Sequence, residues 1–193
     1  MTAQLGFFAD APGVLPEGFR YRDNVVSAAM EASLLEAFGS LPFENFKFHQ
    51  YTGNRRVVSY GWKYDYTARQ IDPAEAIPPS LLDVRDVAAE VAGITADALQ
   101  QALVTEYSPG AAIGWHRDKP EYREIVGVSL LAPCTFRLRK KQGTRWQRVN
   151  LVVRPRSVYL LSGDARHGWE HSIPAVDALR YSITFRSLAA PGD

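Results

Sequence analysis

Two histidines and one aspartate have the residue types and the spacing of a metal site. His116 and Asp118 are two residues apart, so their side chains point to the same side if the segment is extended. His171 comes much later and must be supplied by a distant strand. Such a triad can hold one face of an octahedral Fe(II), leaving three positions open, but it also suits Mn, Co or Zn. A Zn²⁺ hydrolase with a bound water therefore stays an alternative.

The remaining histidines and the cysteine limit this interpretation. The chain has four histidines, and His167 competes with His171 as the third ligand, while His49 is the fourth. Cys134 is the single cysteine, which excludes an intramolecular disulfide and a cysteine-rich zinc site. We expect Cys134 to be a small buried hydrophobic residue in a protein of the reducing cytoplasm.

A second pattern, near the end of the chain, suits the binding of an acid. Alternation along a strand places two arginines and two hydroxyl residues on one face and three apolar or aromatic residues on the other: Arg180, Ser182, Thr184 and Arg186 against Tyr181, Ile183 and Phe185. Unpaired buried charge is costly, so such a face is either exposed or lines a cavity that holds a dianion. A guanidinium grips a carboxylate through two parallel hydrogen bonds.

The elements that must position these residues are helices followed by short strands. The chain through Asn24 is rich in Gly and Pro and is predicted to be irregular. Helical periodicity predicts a helix over 27–41 with Ser27 as its cap, and a second from Ser80 to about Val91, ended by Gly93.

The rest of the chain has the texture of a β protein. Turn residues separate seven predicted strands: 102–107, 113–116, 125–131, 135–139, 147–153, 157–161 and 179–187. The 193 residues, 46% of them hydrophobic and 22% charged, suit one domain with a full core. We predict an α+β, mainly β fold, a jelly roll with N-terminal helices packed on it. No apolar stretch approaches the roughly 20 residues of a membrane span.

An aromatic segment and two basic stretches suggest a nucleic-acid partner. Residues 46–66 are predicted to be extended, with Gly53-Asn54 as a turn, and an aromatic residue recurs at every second position from 60 to 66: Tyr60, Trp62, Tyr64 and Tyr66. Arg55 and Arg56 precede them. Aromatic faces stack on unpaired bases and arginines bind phosphates. The alternative is an aromatic hairpin packed on the core. Residues 134–156 contain basic residues and no acid, and form either a second phosphate surface or a solvated hairpin.

Together these residues resemble the AlkB family of Fe(II)/2-oxoglutarate dioxygenases. The likeness rests on His116-x-Asp118, His171, Arg180-x5-Arg186, the segment 107–110 (Tyr-Ser-Pro-Gly) and the segment 125–130 (Ile-Val-Gly-Val-Ser-Leu). It implies a double-stranded β-helix, with residues 1–45 as an N-terminal extension and helix, 46–68 as a nucleotide-recognition lid, and 100–188 as the catalytic core. One domain is expected to span 1–193.

The resemblance also implies a role for individual residues. His116, Asp118 and His171 would bind Fe(II), and no catalytic residue beyond these ligands is implied. Five residues would hold the cosubstrate 2-oxoglutarate: Thr105, Tyr107, Arg180, Ser182 and Arg186. Thr105 and Ser182 stand where many members have Asn. Five residues of the lid would bind substrate: Arg55, Arg56, Tyr60, Trp62 and Tyr64.

The implied activity is oxidative demethylation of N-alkylated nucleobases in DNA or RNA. It would consume O2 and 2-oxoglutarate, release formaldehyde, succinate and CO2, and repair alkylation damage. The alternative is an oxygenase that acts on tRNA modifications or on a protein side chain. Glu121 lies where repair members often have a carboxylate that reads the base. We expect a nucleic-acid partner, no membrane association and a monomeric protein.

Overall fold

The computed structural model describes residues 14–48, 51–65 and 68–189. His49, Tyr66 and the first 13 residues of the predicted extension lie outside this range. Three α-helices lie in the described part: α1 (Ala28–Phe38), α2 (Leu82–Ala92) and α3 (Gly163–His167). Its strands are β1 (Phe19–Arg22), β2 (Glu44–Phe48), β3 (Tyr51–Tyr60), β4 (Trp62–Asp65), β5 (Gln70–Pro73), β6 (Gln101–Tyr107), β7 (Ile113–His116), β8 (Tyr122–Leu130), β9 (Cys134–Gln142), β10 (Arg145–Val153), β11 (Ser157–Leu161), β12 (Glu170–Ile173) and β13 (Arg180–Leu188).

Two antiparallel sheets form the body of the molecule, which confirms the predicted jelly roll. The larger sheet has the order β1-β11-β8-β13-β6-β3-β2, and the smaller has the order β10-β9-β12-β7. Strands β4 and β5 pair separately as a hairpin. Because β7 and β12 are neighbours although more than 50 residues separate them, the fold brings the two halves of the predicted metal motif together.

Two hydrophobic cores lie on opposite faces of the larger sheet. Helices α1 and α2 cover its outer face, where Leu34, Phe38 and Val84 pack against Ile183 and Phe185. The second core fills the space between the two sheets and includes aromatic and aliphatic residues of both: Phe19, Tyr107, Ile125, Phe136, Leu138, Tyr159 and Leu161. The predicted alternation along β13 is confirmed, because its apolar residues enter the first core and its arginines face the second.

The helix ends agree with the sequence at two of four positions. The predicted end of the first helix at residue 41 is wrong, because α1 ends at Phe38 with Gly39 as its cap. The Ser27 side chain accepts a hydrogen bond from the Met30 amide at 3.1 Å, as a cap does. Gly93 ends α2 in the left-handed conformation, with φ 72°. The predicted cap Ser80 is wrong. Pro79 opens a short 3-10 turn at 79–81, so Ser80 lies inside this turn and α2 begins at Leu82.

Long-range pairing overrides the local signals at three other places. Residues Phe19–Arg22 form β1 on β11, although this region is predicted to be irregular. Gly53 and Asn54 lie inside β3 rather than in a turn, since β3 pairs with β2 and β6. Strand β12 is absent from the predicted strands, yet pairs with β9 and β7. Among the helices of the described part, none has the length and apolarity needed to cross a membrane.

Candidate metal centre

The three predicted ligands meet where β7 and β12 run side by side. His116 and His171 are directly opposite each other in the β-ladder, and Asp118 follows β7 by two residues. One ligand atom of each residue lies within 4.8 Å of the others. The Nε2 atom of His171 is 3.5 Å from an oxygen of Asp118. Two imidazoles and a carboxylate therefore converge on one point, and this donor set fits Fe(II).

Neighbouring groups orient both imidazoles so that each can offer a ring nitrogen to a metal. The Nδ1 atom of His116 is 2.9 Å from the Gly114 carbonyl oxygen, which leaves Nε2 for a metal. The ring of His171 stacks on Phe136 with centroids 5.4 Å apart. Burial, together with the charge of His116, lowers the pKa of His171 to about 3. His171 is therefore neutral near pH 7, with a lone pair available.

Asp118 is held ionised by an arginine of the last strand. Burial alone would raise its pKa, but Arg186 and the two imidazoles lower the pKa well below the usual range. Arg186 donates from Nε and Nη2 to one carboxylate oxygen at 3.1 and 2.9 Å. Its Nη1 donates to Gln101 at 2.8 Å, which fixes the guanidinium. The other oxygen of Asp118 faces His171.

The competing ligand His167 takes no part in this cluster. It is exposed at the end of α3, and its carbonyl oxygen accepts a hydrogen bond from Arg117 at 3.2 Å. His167 is the last residue of α3 and precedes the start of β12 at Glu170, so His171 and not His167 lies in the ladder beside His116.

A buried arginine beside the metal site has unused hydrogen-bonding capacity. Arg180 is 0% exposed, and its Nη2 donates to Ser129 at 3.1 Å. Its Nε and Nη1 have no hydrogen-bond partner among the described residues. The guanidinium lies 4.7 Å from the centre of the Tyr107 ring. An unsatisfied buried cation is costly, and a carboxylate accepting two parallel hydrogen bonds would satisfy it. The site thus fits the distal carboxylate of 2-oxoglutarate.

The other predicted cosubstrate residues line the same space between the sheets. The Tyr107 hydroxyl is 3.3 Å from the Ser182 hydroxyl. Ser182 pairs across the ladder with Thr105, and both are buried. Tyr107, Thr105 and Ser182 thus present three hydroxyl groups near Arg180.

Two residues that contribute here were missed by sequence reasoning. Tyr159 projects from β11 across Gly127, whose absent side chain makes room: a Cβ at Gly127 would lie 2.1 Å from the tyrosine ring. Arg166 of α3 is buried and donates to the carbonyl oxygens of Lys119 and Tyr122 at 2.6 and 2.8 Å. It thereby holds the loop that follows Asp118. For Tyr159, the sequence signal was the glycine inside an apolar strand, Gly127, which indicates close packing by a neighbour. For Arg166, the sequence contains no such signal.

The aromatic segment does not form one continuous face, and that expectation is wrong. Gly61 has φ +74° and interrupts the strand, so Tyr60 ends β3 and Trp62 opens β4. Tyr60 is 5% exposed and packs in the first core. Its predicted contact with substrate is therefore corrected to a packing role. Burial also raises the pKa of its hydroxyl.

Trp62 and Tyr64 lie instead on the β4–β5 hairpin, close to the metal centre. Tyr64 pairs with Ile71, which packs against the second core. The ammonium group of Lys119, next to Asp118 in sequence, lies 4.8 Å from the centre of the Tyr64 ring. The hairpin thus borders the loop that carries the metal-binding aspartate.

The two arginines predicted to bind substrate lie on β3 with different partners. Arg55 lies over the Phe46 ring at 3.9 Å. Arg56 forms a two-pronged ion pair with Glu106, at 2.7 and 2.8 Å, and its side chain is 49% exposed. Glu121, the candidate base-reading carboxylate, has one buried oxygen with no hydrogen-bond partner in the described part of the chain.

Several known proteins are similar to this chain. A family model for the 2OG-Fe(II) oxygenase superfamily matches residues 22–186. The Alkylated DNA repair protein ALKBH8 homolog of Arabidopsis thaliana is 27% identical over 159 residues, which are 69% of this chain and 46% of that protein. Uncharacterized protein L905 of Acanthamoeba polyphaga mimivirus is 29% identical over 143 residues, 65% of this chain and 68% of that protein.

A third relative and a solved structure extend these findings. The tRNA (carboxymethyluridine(34)-5-O)-methyltransferase alkbh8 of Xenopus tropicalis is 26% identical over 165 residues, 82% of this chain and 25% of that protein. This chain therefore spans less than half the length of the Arabidopsis protein and a quarter of the Xenopus protein. The structure of OsALKBH1 matches with a TM-score of 0.67 at 14% identity, covering 90% of this chain and 98% of that one.

The match of the family model over most of the chain agrees with the triad geometry and the unsatisfied Arg180. The chain belongs to the 2OG-Fe(II) oxygenase superfamily, whose members use Fe(II), 2-oxoglutarate and O2, and it resembles AlkB-like proteins in sequence and in fold.

Proposed function

We propose that this dioxygenase removes N-alkyl groups from nucleobases in DNA or RNA. The carrying observation is the contact between Lys119 and the Tyr64 ring, 4.8 Å apart, which borders the metal loop with an aromatic hairpin. Aromatic rings stack on unpaired bases irrespective of sequence, so such a hairpin suits a nucleotide taken out of its stack. Oxidation of an N-methyl group at this site yields formaldehyde and the unmodified base.

The residues of the site divide the work between binding and orientation. Bound Fe(II) and 2-oxoglutarate would activate O2, which is the oxidant that attacks a C–H bond. His116, Asp118 and His171 hold the metal, and Arg186 keeps Asp118 ionised and fixed in place. Arg180 binds the distal carboxylate of the cosubstrate. The apolar second core keeps water from the cosubstrate side, because the space between the sheets is otherwise filled by side chains.

The substrate side is proposed to consist of the hairpin and the strand before it. Trp62 and Tyr64 face the same side of β4 and would cover the base. Arg55 and Arg56 lie upstream on β3, and the partly exposed Arg56 would approach a phosphate. The buried oxygen of Glu121 would accept a hydrogen bond from an amino group of the base. A single domain over 1–193, a monomeric state and a cytoplasmic location are part of the same proposal.

A second candidate is the oxidation of a modified tRNA nucleotide without loss of carbon. It is favoured by the Xenopus relative, whose name places it on a carboxymethyluridine of tRNA and which matches 82% of this chain. The same metal and cosubstrate residues would serve, since a hydroxyl group added to a carbon that is not bound to nitrogen stays on the product. The difference between the two candidates lies in the bound nucleotide.

Mass spectrometry of the product separates the two candidates. Oligonucleotides carrying N-methylated bases, and tRNA carrying carboxymethylated uridine, are incubated with enzyme, Fe(II) and 2-oxoglutarate. Loss of one methylene mass with release of formaldehyde supports demethylation, and a gain of one oxygen mass supports hydroxylation. Succinate release without a change in any nucleic acid contradicts both. An Asp118→Ala enzyme is the control that must leave every substrate unchanged.

A further inference from the structure

The outer face of the smaller sheet, opposite the metal ligands, carries interleaved indole and guanidinium groups. Arg139 lies between two tryptophans, 4.4 Å from the Trp115 ring and 4.3 Å from the Trp146 ring. The Arg137 guanidinium also lies near the Trp115 ring, 5.0 Å from its centre. The residues of the layer belong to β10, β9 and β7, and the layer also crosses β12, which lies between β9 and β7. We call it the Trp–Arg face and define it by Trp115, Arg137, Arg139, Lys141, Trp146 and Arg148.

The strand register places two further cations in this layer. Lys141 is directly opposite Trp146, and Arg148 is directly opposite Arg139, so all four side chains point outward from the sheet. Both Lys141 and Arg148 are exposed. Glu170 is the carboxylate that the structure places beside this layer, where it accepts a hydrogen bond from Arg139 Nε at 2.6 Å. The face therefore carries a net positive charge on a protein whose total charge is +1.

The packing of the sheet does not require this layer. Phe136, Leu138 and Val149 point to the opposite side of β9 and β10 and form the second core. Lys140, on that inner side, is taken up by an ion pair with Asp164 at 2.6 Å. The cations of the basic run are thus divided, and the outward set lies in a row on the surface, close to aromatic rings. Like charges directly opposite each other, such as Arg139 and Arg148, are destabilising unless an anion lies between them.

The arginines of the layer are already held in one geometry. Arg137 donates from Nε to the Ser172 hydroxyl at 3.0 Å, and Arg139 is fixed by Glu170 and by two rings. Because their rotamers are limited before a ligand arrives, little side-chain entropy is lost when a phosphate binds. Planar groups spaced along a row, with cations between them, match the alternation of bases and phosphates in a single strand.

We propose that the Trp–Arg face binds an RNA strand on either side of the nucleotide that enters the metal site. The inference rests on the proposed action on nucleic acid, and RNA is chosen because the Xenopus relative carries tRNA in its name. The place of the layer supports it: β7 is the edge strand of its sheet, and Trp115 is followed directly by the metal ligand His116. A strand crossing this edge passes from the outer face to the mouth of the site.

Binding measurements on charge-reversal variants test the proposal without any turnover. The probe is an unmodified, fluorescein-labelled single-stranded RNA of about 20 nucleotides, longer than the footprint of a typical single-strand binder. Its affinity is measured by fluorescence anisotropy at several salt concentrations. The Lys141→Glu/Arg148→Glu variant is expected to bind at least about 10-fold more weakly. The slope of log affinity against log salt should fall by at least about 1.4, the value for two lost phosphate contacts on a single strand.

A matched pair of single variants separates a local surface from overall charge. Arg148→Glu should weaken binding by several fold, whereas Arg22→Glu, an equal charge change on the exposed edge strand β1, should have almost no effect. Trp146→Ala is expected to weaken binding at least about 5-fold with an unchanged salt slope, because it removes stacking rather than charge. Uncoupled succinate formation should be unaltered in all these variants, which shows that the site is intact.

Three results would overturn the proposal. Equal losses in Arg148→Glu and Arg22→Glu would show a general charge effect, and unchanged binding of the double variant would exclude the surface. If the double variant lost more affinity for single-stranded DNA of the same sequence than for RNA, the choice of RNA would be contradicted. Failure of the proposed activity is a separate result, since it would appear as absent product in the wild-type enzyme whatever these affinities are.

Discussion

The metal end of the molecule and the aromatic hairpin beside it are built on different principles. At the metal end the Asp118 and His171 side chains are 8% and 12% exposed. Arg186 contacts Asp118, Phe136 stacks on His171, and Gln101 holds Arg186 in turn. The β4–β5 hairpin belongs to neither large sheet, and it meets the metal loop through Lys119 and Tyr64. We therefore propose that the buried set of residues determines the reaction and that the small, half-buried hairpin determines the substrate.

The largest expected effect comes from removing a ligand at the buried end. Asp118→Ala should lower uncoupled succinate formation by at least about 100-fold, since loss of residues that merely support metal ligands already costs about 10- to 100-fold. Succinate release is measured with saturating Fe(II) and 2-oxoglutarate. Asp86→Ala, on the exposed side of α2, is the control and should be fully active. Near-normal turnover of Asp118→Ala would contradict the metal assignment.

The next effect concerns the cosubstrate. Arg180→Lys keeps the charge but loses the planar fork, so the KM for 2-oxoglutarate should rise about 10- to 100-fold, the equivalent of one charge-assisted hydrogen bond. The initial rate is measured over a range of 2-oxoglutarate concentrations. Arg22→Lys serves as the control. An unchanged KM would show that the two unpaired nitrogens of Arg180 do not meet the cosubstrate.

A pair of aromatic variants compares the hairpin with the core directly. Trp62→Ala should lower kcat/KM on a methylated oligonucleotide about 10-fold, as expected for one lost stacking contact, and leave uncoupled turnover intact. Tyr60→Ala should instead lower the free energy of unfolding by about 3 kcal/mol, because it empties a core position. Thermal unfolding and activity are recorded for both. If both variants lost stability and activity to the same extent, the distinction between hairpin and core would be contradicted.

The smallest effect lies between β3 and β6, where Arg56 pairs with Glu106. The hydrogen bonds from Arg56 have the largest effect and lower the pKa of Glu106. Burial opposes them, and the hydrogen bond from Tyr181 adds a smaller lowering. The pair therefore adds stability above the ordinary pKa of 4.5, and this stability is lost as pH falls through the lowered value. Glu106→Gln should cost about 1 kcal/mol near pH 7 and progressively less below pH 4.5. Thermal melts of both proteins across this range measure it; a constant difference would contradict the pairing.

Much of the chemistry was predictable because it depends on strand periodicity. The two-residue spacing of His116 and Asp118 and the alternation from Arg180 to Arg186 place side chains on faces whatever the rest of the fold does. Strand β12 was not predicted, because four residues after a short helix carry little local signal and pairing with β7 and β9 creates the strand.

The substrate side was predicted less well for a conformational reason. Period-two spacing held from Tyr60 to Tyr64 in sequence, but the positive φ of Gly61 turns the chain between Tyr60 and Trp62. A glycine allows the strand either to continue or to turn, and the spacing of the aromatic residues alone does not distinguish the two. The contact of Lys119 with Tyr64 is likewise a product of tertiary packing.

The pairing of His116 with His171 in the ladder also bears on how the protein opens locally. Strand β7 has four residues and a single hydrogen-bonded neighbour in its sheet, β12, so fraying of this strand would remove His116 and Asp118 together. Such edge segments belong to the least protected parts of a fold. Metal bound to all three residues would tie β7 to β12, and the backbone amides of Ile113–His116 should then exchange with deuterium more slowly. The bound metal ion would thereby also stabilise the β7 edge of the smaller sheet.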